Sequence, residues 1–433
     1  MLTKQQQIAE NARIHAGVAF TSLAYHRDLE WLYEAYRRTR KDGAVGVDEQ
    51  TAEQYGENLE QNLKSLLERA KAGTYRAPPV RRAHIPKGKG GETRPIGIPT
   101  FEDKVLQRAV QMLLEPLYER DFLSCAHGFR PKRSPHTALQ ALWDQMMGQG
   151  GGWVIDLDIR KYFDTLSHAT MRTILAQRMR DGVITRLIGK WLKAGVMEDG
   201  SVTYPEQGTP QGGVLSPLLS NVYLHEVLDR WFYEVVRPRL RGRAFLVRFA
   251  DDAVLTFSDR RDAENVLRVL PKRFAKYGLT VHEEKTRMLQ FRPPGGNATA
   301  HHGASFPFLG FTHYWGRSRN GKWIVKRKTA SDRLTRALRA LAVWCKRHRH
   351  EPLRAQQAAL RRKLLGHYGY YGITGNGRSL GYFHDAAKRL WLKWLNRRGG
   401  RRLTWACFAR LLARYPLPAV RVVQSIYAAN STT

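Results

Sequence analysis

The chain has 433 residues, of which 42% are apolar and 25% charged, and this ordinary globular composition excludes a disordered tail protein, a collagen and a membrane bundle. Seventy-two Lys and Arg against 38 Asp and Glu give a formal net charge of +34. A folded chain tolerates such self-repulsion best when a polyanion neutralises it, so a nucleic acid is the expected partner. The length predicts about three domains.

Cysteine usage and hydropathy indicate a cytoplasmic protein. Cys125, Cys345 and Cys407 lie far apart and include no C-x-x-C pair, so we expect neither a disulfide framework nor a cysteine zinc site. No apolar run approaches the roughly 18 residues that a membrane span needs, and the N-terminus lacks the apolar core of a signal peptide. We therefore expect no membrane partner.

Apolar spacing and the positions of Gly and Pro predict an α+β fold, in which helices and strands are interleaved without a regular repeat. Helices are predicted at 5–15, 29–41, from the end of a loop at 43–51 to about 71, 102–121, 134–147, around 168–197, from 216, and 261–277. Strands are predicted between about 79 and 100, at 153–159, as a hairpin over 245–257, and as a further pair that ends near 311.

Positive charge is concentrated near the C-terminus. Residues 317–402 hold 24 Lys and Arg against three acids, a net charge of +21, whereas the other 347 residues carry +13. The basic residues alternate with Trp323, Trp344, Trp391 and Trp394 over many helical turns. A solvated helix face is one explanation of such a run, and a basic helical clamp for a nucleic acid is the one that we favour.

Two adjacent aspartates, Asp251 and Asp252, separate the two apolar runs of the predicted hairpin. Paired aspartates are common in turns, but neighbouring charges between buried strands repel each other unless a cation compensates them. Asp158 also ends an apolar strand, and three carboxylates from adjacent strands are typical ligands of Mg²⁺. We predict a site for two Mg²⁺ ions, which activate a 3′-hydroxyl and stabilise a leaving pyrophosphate in nucleotidyl transfer.

At these residues the chain resembles reverse transcriptases of the group II intron-encoded, or maturase, type. The segment DIRKYFD (158–164) is similar to the family's first palm motif, and RFADD (248–252) to its Tyr-Ala-Asp-Asp box, with Phe249 in place of the usual Tyr. The resemblance implies that the three aspartates are catalytic metal ligands. Asp156, two residues before the first of them, is expected to be a supporting or structural residue.

The segment IPKGKGGETRPIGIP (85–99) resembles the fingers motif of the same family. Lys87 and Arg94 lie seven residues apart across a Gly-rich turn, so both can face one triphosphate. A basic hairpin tip without a ligand is the alternative for this pair.

The segment QGTPQGGVLSPLLSN (207–221) is the most specific motif. The resemblance places Gln211 beside the incoming dNTP, and Gly212 permits a close approach of the backbone to the template pair. It also implies that Phe163 is the gate beneath the sugar, where a ring clashes with a 2′-hydroxyl. A core aromatic is the alternative for this residue.

Two more segments follow the family's order. In HEEKT (282–286) the resemblance makes Lys285 a candidate general acid for pyrophosphate, with a salt bridge to Glu283 or Glu284 as the alternative. HGFRPKRSPHTAL (127–139) resembles the fingers segment that follows the template. Its candidate contacts to RNA phosphates are Arg130, Lys132 and Arg133.

The basic C-terminal module contains LLGHYGYYGITGN (364–376) and LKWLNRRGG (392–400), which resemble the maturase-specific domain X. In the family this domain packs as the polymerase thumb and binds intron RNA. The three adjacent cations just before it, Arg361, Arg362 and Lys363, are therefore predicted to contact RNA phosphates.

The resemblance implies a right-hand polymerase with a mostly helical thumb. The predicted parts are an N-terminal extension (1–78), fingers and palm (79–315), thumb or domain X (316–402), and a short C-terminal tail (403–433) for which DNA is a candidate ligand. No cluster of Cys or His follows domain X, so we expect the family's endonuclease to be absent.

The implied function is Mg²⁺-dependent DNA synthesis from dNTPs on an RNA template and a DNA primer, coupled to splicing of a group II intron RNA and to its mobility into target DNA. The expected location is the bacterial cytoplasm, with nucleoid association when DNA is bound. Two alternatives stay open: a domesticated relative that serves spacer acquisition, phage defence or repair, and a splicing factor that binds RNA without polymerase activity.

Overall fold

The computed structural model describes residues 2–86, 93–198, 200–204, 207–208, 212–294, 304–400 and 402–425. Lys87 and Gln211, two of the predicted dNTP contacts, lie outside the described residues. The chain forms two compact units. The first unit is Met1–Ala138 with Val154–Met288, and the second unit is Leu139–Trp153 with Leu289–Thr433.

Helices are the main elements of the described chain. They are α1 (Leu2–Ile14), α2 (Leu29–Arg38), α3 (Ala52–Glu57), α4 (Leu59–Ala72), α5 (Phe101–Asp121), α6 (Pro135–Gln149), α7 (Tyr162–Thr165), α8 (His168–Ala176), α9 (Gly182–Leu192), α10 (Ser216–Leu224), α11 (Arg260–Ala275), α12 (Ser331–Arg347), α13 (Leu353–Tyr371), α14 (Gly377–Leu395) and α15 (Trp405–Arg414). A π-helical segment, His225–Val236, continues α10. Among the described residues, no helix combines the length and the hydropathy that a membrane span requires.

The strands are β1 (Val80–Pro86), β2 (Thr93–Ile98), β3 (Gly152–Leu157), β4 (Ile159–Arg160), β5 (Val196–Glu198), β6 (Ser201–Thr203), β7 (Ala244–Phe249), β8 (Asp252–Phe257), β9 (Thr280–Val281), β10 (Arg287–Phe291), β11 (Ser305–Phe308), β12 (Phe311–Arg317) and β13 (Trp323–Thr329). They form sheets with the orders β2-β1-β5-β6, β10-β3-β8-β7, β11-β12-β13 and β4-β9. The mixture of helices and sheets confirms the predicted α+β class.

Helix α5 is the central helix of the first unit. It begins where the Thr100 hydroxyl accepts a hydrogen bond from the Asp103 amide (3.2 Å). Its apolar residues recur every three to four positions, and Leu106, Ala109 and Leu113 are fully buried. The Trp31 indole of α2 donates to the Ala109 carbonyl (2.9 Å), so the N-terminal helices are part of this core.

The second unit contains the three-stranded antiparallel sheet β11-β12-β13 and the basic helices. The helices bury an apolar cluster that includes Leu364, Leu380 and Trp391, and the Trp391 indole donates to Gln356 (2.9 Å). Trp391, which we expected within a nucleic-acid clamp, is therefore a core residue. Phe408 of α15 is fully buried in the same cluster.

The structure differs from the sequence prediction in one helix, because the helix expected to run to about residue 71 is interrupted at Asn58. The helices predicted around 168–197 are present as α8 and α9, and β5 follows them. The domain boundaries predicted near 315 and 402 stay predictions. β12 pairs with β13 across the first of them, and α15 is packed into the helical core across the second.

Candidate active site

The predicted catalytic hairpin is formed by β7 and β8. Phe249 pairs with Asp252, which leaves Ala250 and Asp251 as the two residues of the turn. Ala250 has a φ of +56°, a left-handed conformation that costs a residue with a side chain about 1–3 kcal/mol. Asp251 is half-buried and Asp252 exposed. The sequence prediction of two aspartates at the end of an apolar hairpin is confirmed.

A buried polar network lies directly beneath this turn. The Arg248 guanidinium makes two hydrogen bonds to the Asp229 carboxylate (2.8 and 2.6 Å), and neither side chain is exposed. Its third nitrogen donates to the Ala250 carbonyl (2.9 Å) and to Asn221 Oδ1 (3.0 Å). Asn221 in turn donates to the Gly128 carbonyl (2.6 Å). The network ties the strained turn to α10 and to the loop before α6.

Burial by itself would raise the pKa of the Asp229 carboxyl, but the adjacent Arg248 guanidinium holds that pKa below its ordinary value. Both groups are therefore charged, and their bidentate geometry compensates for much of the desolvation. We did not single out Arg248, Asp229 or Asn221 from the sequence. The available signal was a charged residue, Arg248, within the apolar strand run of FLVRF.

Asp158 lies between β3 and β4 and is half-buried. Its backbone carbonyl accepts from the His282 amide (2.9 Å), and its amide donates to the Thr286 hydroxyl (3.2 Å). The predicted HEEKT motif is thus joined to the chain at Asp158, between β3 and β4. Lys285 is exposed in this segment, and among the described residues no carboxylate forms a salt bridge with it.

The carboxylates of Asp158 and Asp251 interact electrostatically. Burial raises the pKa of Asp251 above its ordinary value, and the charge of Asp158 raises it further, while Arg94 and Arg248 oppose the shift. A half-buried acid whose ionisation is opposed by the charge of a neighbouring carboxylate fits a cation between the two groups. Within the described ranges, however, no three metal-ligating side chains form a preformed cluster, so the predicted convergence of three carboxylates stays a prediction.

Asp156 has a different environment. Burial raises its pKa to about 6, and the Arg287 guanidinium, 3.6 Å from its carboxylate, opposes that shift. The ion pair agrees with the supporting role expected of this residue.

Three of the predicted dNTP contacts, Arg94, Phe163 and Gly212, lie within the described residues. For Gly212 the structure gives a reason within the protein itself. Arg94 is exposed on β2 opposite Ile85, and its charge acts on Asp251. Phe163 is half-buried on α7, with its ring 5.1 Å from that of Tyr162. Gly212 has a φ of +119°, and a Cβ there would lie 2.6 Å from the Gly97 carbonyl oxygen. Glycine is therefore required here by the chain's own β2 backbone.

The structure corrects one predicted RNA contact. Arg130 is buried, and its guanidinium donates to the Glu119 carboxylate (2.7 to 3.1 Å) and to the carbonyls of Leu123 and Ala126. Because its donors are all used inside the protein, the prediction of a phosphate contact at Arg130 is wrong. The prediction assumed that an arginine in a loop is exposed, whereas Arg130 is buried.

The other predicted RNA contacts are accessible to different degrees. Lys132 is exposed with a φ of +58°, whereas Arg133 is half-buried and donates to the Ser124 carbonyl (3.0 Å). Arg361, Arg362 and Lys363 are exposed on α13, and the Lys363 ammonium lies 5.3 Å from the centre of the Trp344 ring.

Comparison with known proteins identifies the protein family of the chain. Residues 85–313 match the family described as reverse transcriptase (RNA-dependent DNA polymerase), and the chain belongs to that family. This membership implies the right-hand polymerase fold, and enzymes of the family generally use a divalent metal, typically Mg²⁺.

Several proteins of known name are similar to the chain in sequence. The chain is 37% identical over 234 residues to the group II intron-encoded protein LtrA of Lactococcus lactis subsp. cremoris, which covers 53% of the chain and 38% of that protein. It is 36% identical over 259 residues to protein YkfC of Escherichia coli (strain K12), 52% of the chain and 67% of that protein. It is 24% identical over 216 residues to nuclear intron maturase 4, mitochondrial, of Arabidopsis thaliana, 50% of the chain and 25% of that protein. The predicted resemblance to group II intron reverse transcriptases is confirmed.

Proposed function

We propose that this chain is an RNA-directed DNA polymerase that also binds a group II intron RNA and assists its splicing and mobility. The observation that carries the proposal is the strained β7–β8 turn, which holds Asp251 half-buried within the electrostatic reach of Asp158. It lies inside the segment that matches the reverse transcriptase family. The substrates would be dNTPs, an RNA template and a DNA primer, with a target DNA as a further partner.

Asp158, Asp251 and Asp252 would hold the divalent metal. Bound Mg²⁺ supplies charge neutralisation for the triphosphate and lowers the pKa of the primer 3′-hydroxyl. Arg94 would neutralise phosphate oxygens of the dNTP, and its charge already acts on the Asp251 carboxyl. The family resemblance implies roles for the remaining residues. Contacts to the dNTP are proposed for Lys87, Gln211, Gly212 and Phe163, and Lys285 is the proposed general acid for pyrophosphate.

The intron-binding part of the proposal rests on the second unit. Its basic helices leave Arg361, Arg362 and Lys363 exposed in a row on α13, while the apolar side of the helix is buried. Exposed cations on a rigid helix suit phosphate contacts along a folded RNA. Lys132 would add a contact in the first unit.

Asp251→Asn tests the catalytic assignment. The substitution removes one negative charge from the metal-binding position, so we expect extension of a DNA primer on an RNA template to fall at least about a thousandfold. Binding of RNA should persist because the basic helices are unchanged. Asp385→Asn, at an exposed acid on α14, is the matched control and should extend the primer normally. Near wild-type extension by Asp251→Asn would refute the assignment.

A further inference from the structure

A cavity of about 540 Å³ in the first unit plays no part in the proposed polymerase chemistry. Its lining comes from four segments: the residues that precede β1, helix α8, helix α9 with the three residues after it, and the residue that follows β6. The volume is within the range of sites that bind small ligands or single groups of larger ones.

The cavity has a strongly cationic rim. Arg76, Arg172, Arg186 and Lys193 line it, all are exposed, and none has a side-chain hydrogen bond or ion pair within the described residues. No acidic residue is among the described residues that line the cavity. Four uncompensated positive charges around one opening favour a polyanion.

Helix α9 explains why the charges share one side. Arg186, Lys190 and Lys193 recur at intervals of four and three residues, so they lie on the same face, opposite the buried Ile184 and Trp191. Lys190 differs from the others because its ammonium donates to the carbonyls of Gly73 (2.7 Å) and Tyr75. These hydrogen bonds join the end of α4 to α9. The other four cations that line the cavity are therefore the candidates for contacts with a ligand.

The walls of the cavity are small and apolar, and one side is aromatic. Ala77, Pro79 and Gly189 contribute little side-chain volume, and Tyr204 is 72% exposed. The Tyr204 ring lies against Gly195, where a Cβ would approach it to 3.0 Å and would approach Val202 Cγ1 to 2.6 Å. Tyr204 therefore offers an exposed aromatic surface on one side of a cavity whose other walls are small.

We propose that this cavity binds single-stranded RNA, with an unpaired base against Tyr204 and the flanking phosphates on Arg76, Arg172, Arg186 and Lys193. Base stacking on an exposed aromatic side chain beside a basic rim is the usual chemistry of single-strand recognition. Four cations without a partner among the described residues exceed what one mononucleotide phosphate needs, which favours a strand. The proposal deepens the proposed function, since it adds an RNA site that is separate from the carboxylates.

The test measures occupancy at Tyr204 itself, because RNA binding is also proposed for the basic helices of the second unit. The full chain is mixed with a 12-nucleotide single-stranded RNA that carries one internal 5-iodouridine, irradiated, and mapped by mass spectrometry. We expect a cross-link at Tyr204 whose yield saturates with RNA concentration. Absence of this cross-link at saturating RNA would overturn the proposal.

Two variants and a matched control test whether the cross-link at Tyr204 depends on the residues that line the cavity. Combined Arg172→Ala, Arg186→Ala and Lys193→Ala should shift the Tyr204 cross-linking curve to at least about tenfold higher RNA concentration at 0.15 M salt. Gly195→Ala should lower the yield by displacing the ring. Combined Arg261→Ala, Lys272→Ala and Lys276→Ala on and beside α11 removes the same charge from other exposed positions and should leave the curve unchanged. Equal shifts in the two triple variants would overturn the proposal.

A competition arm separates a strand from a free nucleotide. Unlabelled 12-nucleotide RNA should abolish the cross-link, whereas UMP at the same phosphate concentration should not; equal competition by UMP would overturn the strand assignment. Primer extension is measured on the same preparations. A wild-type protein that cross-links at Tyr204 but does not extend a primer would refute the polymerase proposal and leave the RNA site standing.

Discussion

Arg248 has no exposed surface, yet it is the residue that joins the catalytic turn to the rest of the first unit. Its guanidinium bonds Asp229, Asn221 and the Ala250 carbonyl at the same time, which a lysine ammonium on a flexible stem cannot reproduce. A strained φ at Ala250 persists only when neighbouring contacts hold it. Arg248 is thus a positioning residue for Asp251.

Arg248→Lys should therefore lower the kcat of primer extension at least about tenfold, with a smaller change in the KM for dNTP. The substitution keeps the buried charge next to Asp229, so we expect the protein to fold with an unfolding free energy lower by about 1–3 kcal/mol. Steady-state kinetics and urea unfolding give the two quantities. Arg273→Lys is the control, because Arg273 also donates to two backbone carbonyls (2.9 and 2.8 Å) away from the turn. An unchanged kcat in Arg248→Lys would contradict the positioning role.

Substitution of Phe163 tests whether its ring selects deoxynucleotides over ribonucleotides. Its ring is half-buried on the short helix α7, so part of it is available to contact a substrate. If discrimination is steric, Phe163→Ala should raise the ratio of ribonucleotide to deoxynucleotide incorporation at least about tenfold, whereas Phe163→Tyr should keep it low. The ratio is measured by primer extension with each nucleotide alone. An unchanged ratio in Phe163→Ala would identify the ring as a core residue.

At the scale of elements, a buried acid joins α5 to α9. Asp103 accepts hydrogen bonds from the Tyr75 hydroxyl (2.5 Å), the Trp191 indole (2.6 Å) and the Gln107 amide (3.0 Å). Burial raises its pKa to about 6, although these donors oppose the shift. The carboxyl is thus protonated in the folded chain at a pH where it is ionised in the unfolded chain.

The folded state binds this proton more tightly than the unfolded state, so the stabilisation is present below about pH 4 and is lost as the pH rises to about 6. A pKa shift from 3.8 to about 6 corresponds to about 3 kcal/mol of unfolding free energy. Asp103→Asn should remove that slope between pH 4 and 6, although it also weakens the bond from Gln107. Urea unfolding of both proteins across this range measures the difference, and parallel pH profiles would contradict the buried titration.

At the scale of the whole molecule, polymerisation and intron binding are proposed for different compact units, so they should be separable. Combined Arg361→Ala, Arg362→Ala and Lys363→Ala removes three exposed charges from α13 and leaves the palm carboxylates unchanged. Three lost phosphate contacts should flatten the log–log salt dependence of intron RNA binding by about 2. Splicing at low magnesium should fail before primer extension on a generic template does.

The intron RNA that co-purifies with the protein from its native host is the ligand for this measurement, and both activities are followed over a salt series. Combined Arg261→Ala, Lys272→Ala and Lys276→Ala on and beside α11 removes the same charge from the first unit and is the control. Equal losses of binding and polymerisation, or no loss of either, would rule out the maturase role of α13.

Features that depend on short contiguous segments could be predicted from the amino-acid sequence. The hairpin with two aspartates at its turn follows from local apolar patterning and the motif RFADD, and the basic second unit follows from composition alone. The family, too, is specified by motifs in linear order, and the match over residues 85–313 confirmed it.

Which charged side chains are exposed to solvent could not be predicted from the sequence and depends on the packing of the folded chain. Arg130 and Arg248 have the same side chain as Arg172 and Arg186, yet the first two are saturated inside the protein and the other two surround a cavity. Burial depends on which distant segments pack together: Arg248 meets Asp229 from the π-helical segment, and the cavity draws its lining from four separate parts of the chain. Such partners are not encoded in local spacing, because the free energy of a charge is set by the groups and the solvent around it in the folded state.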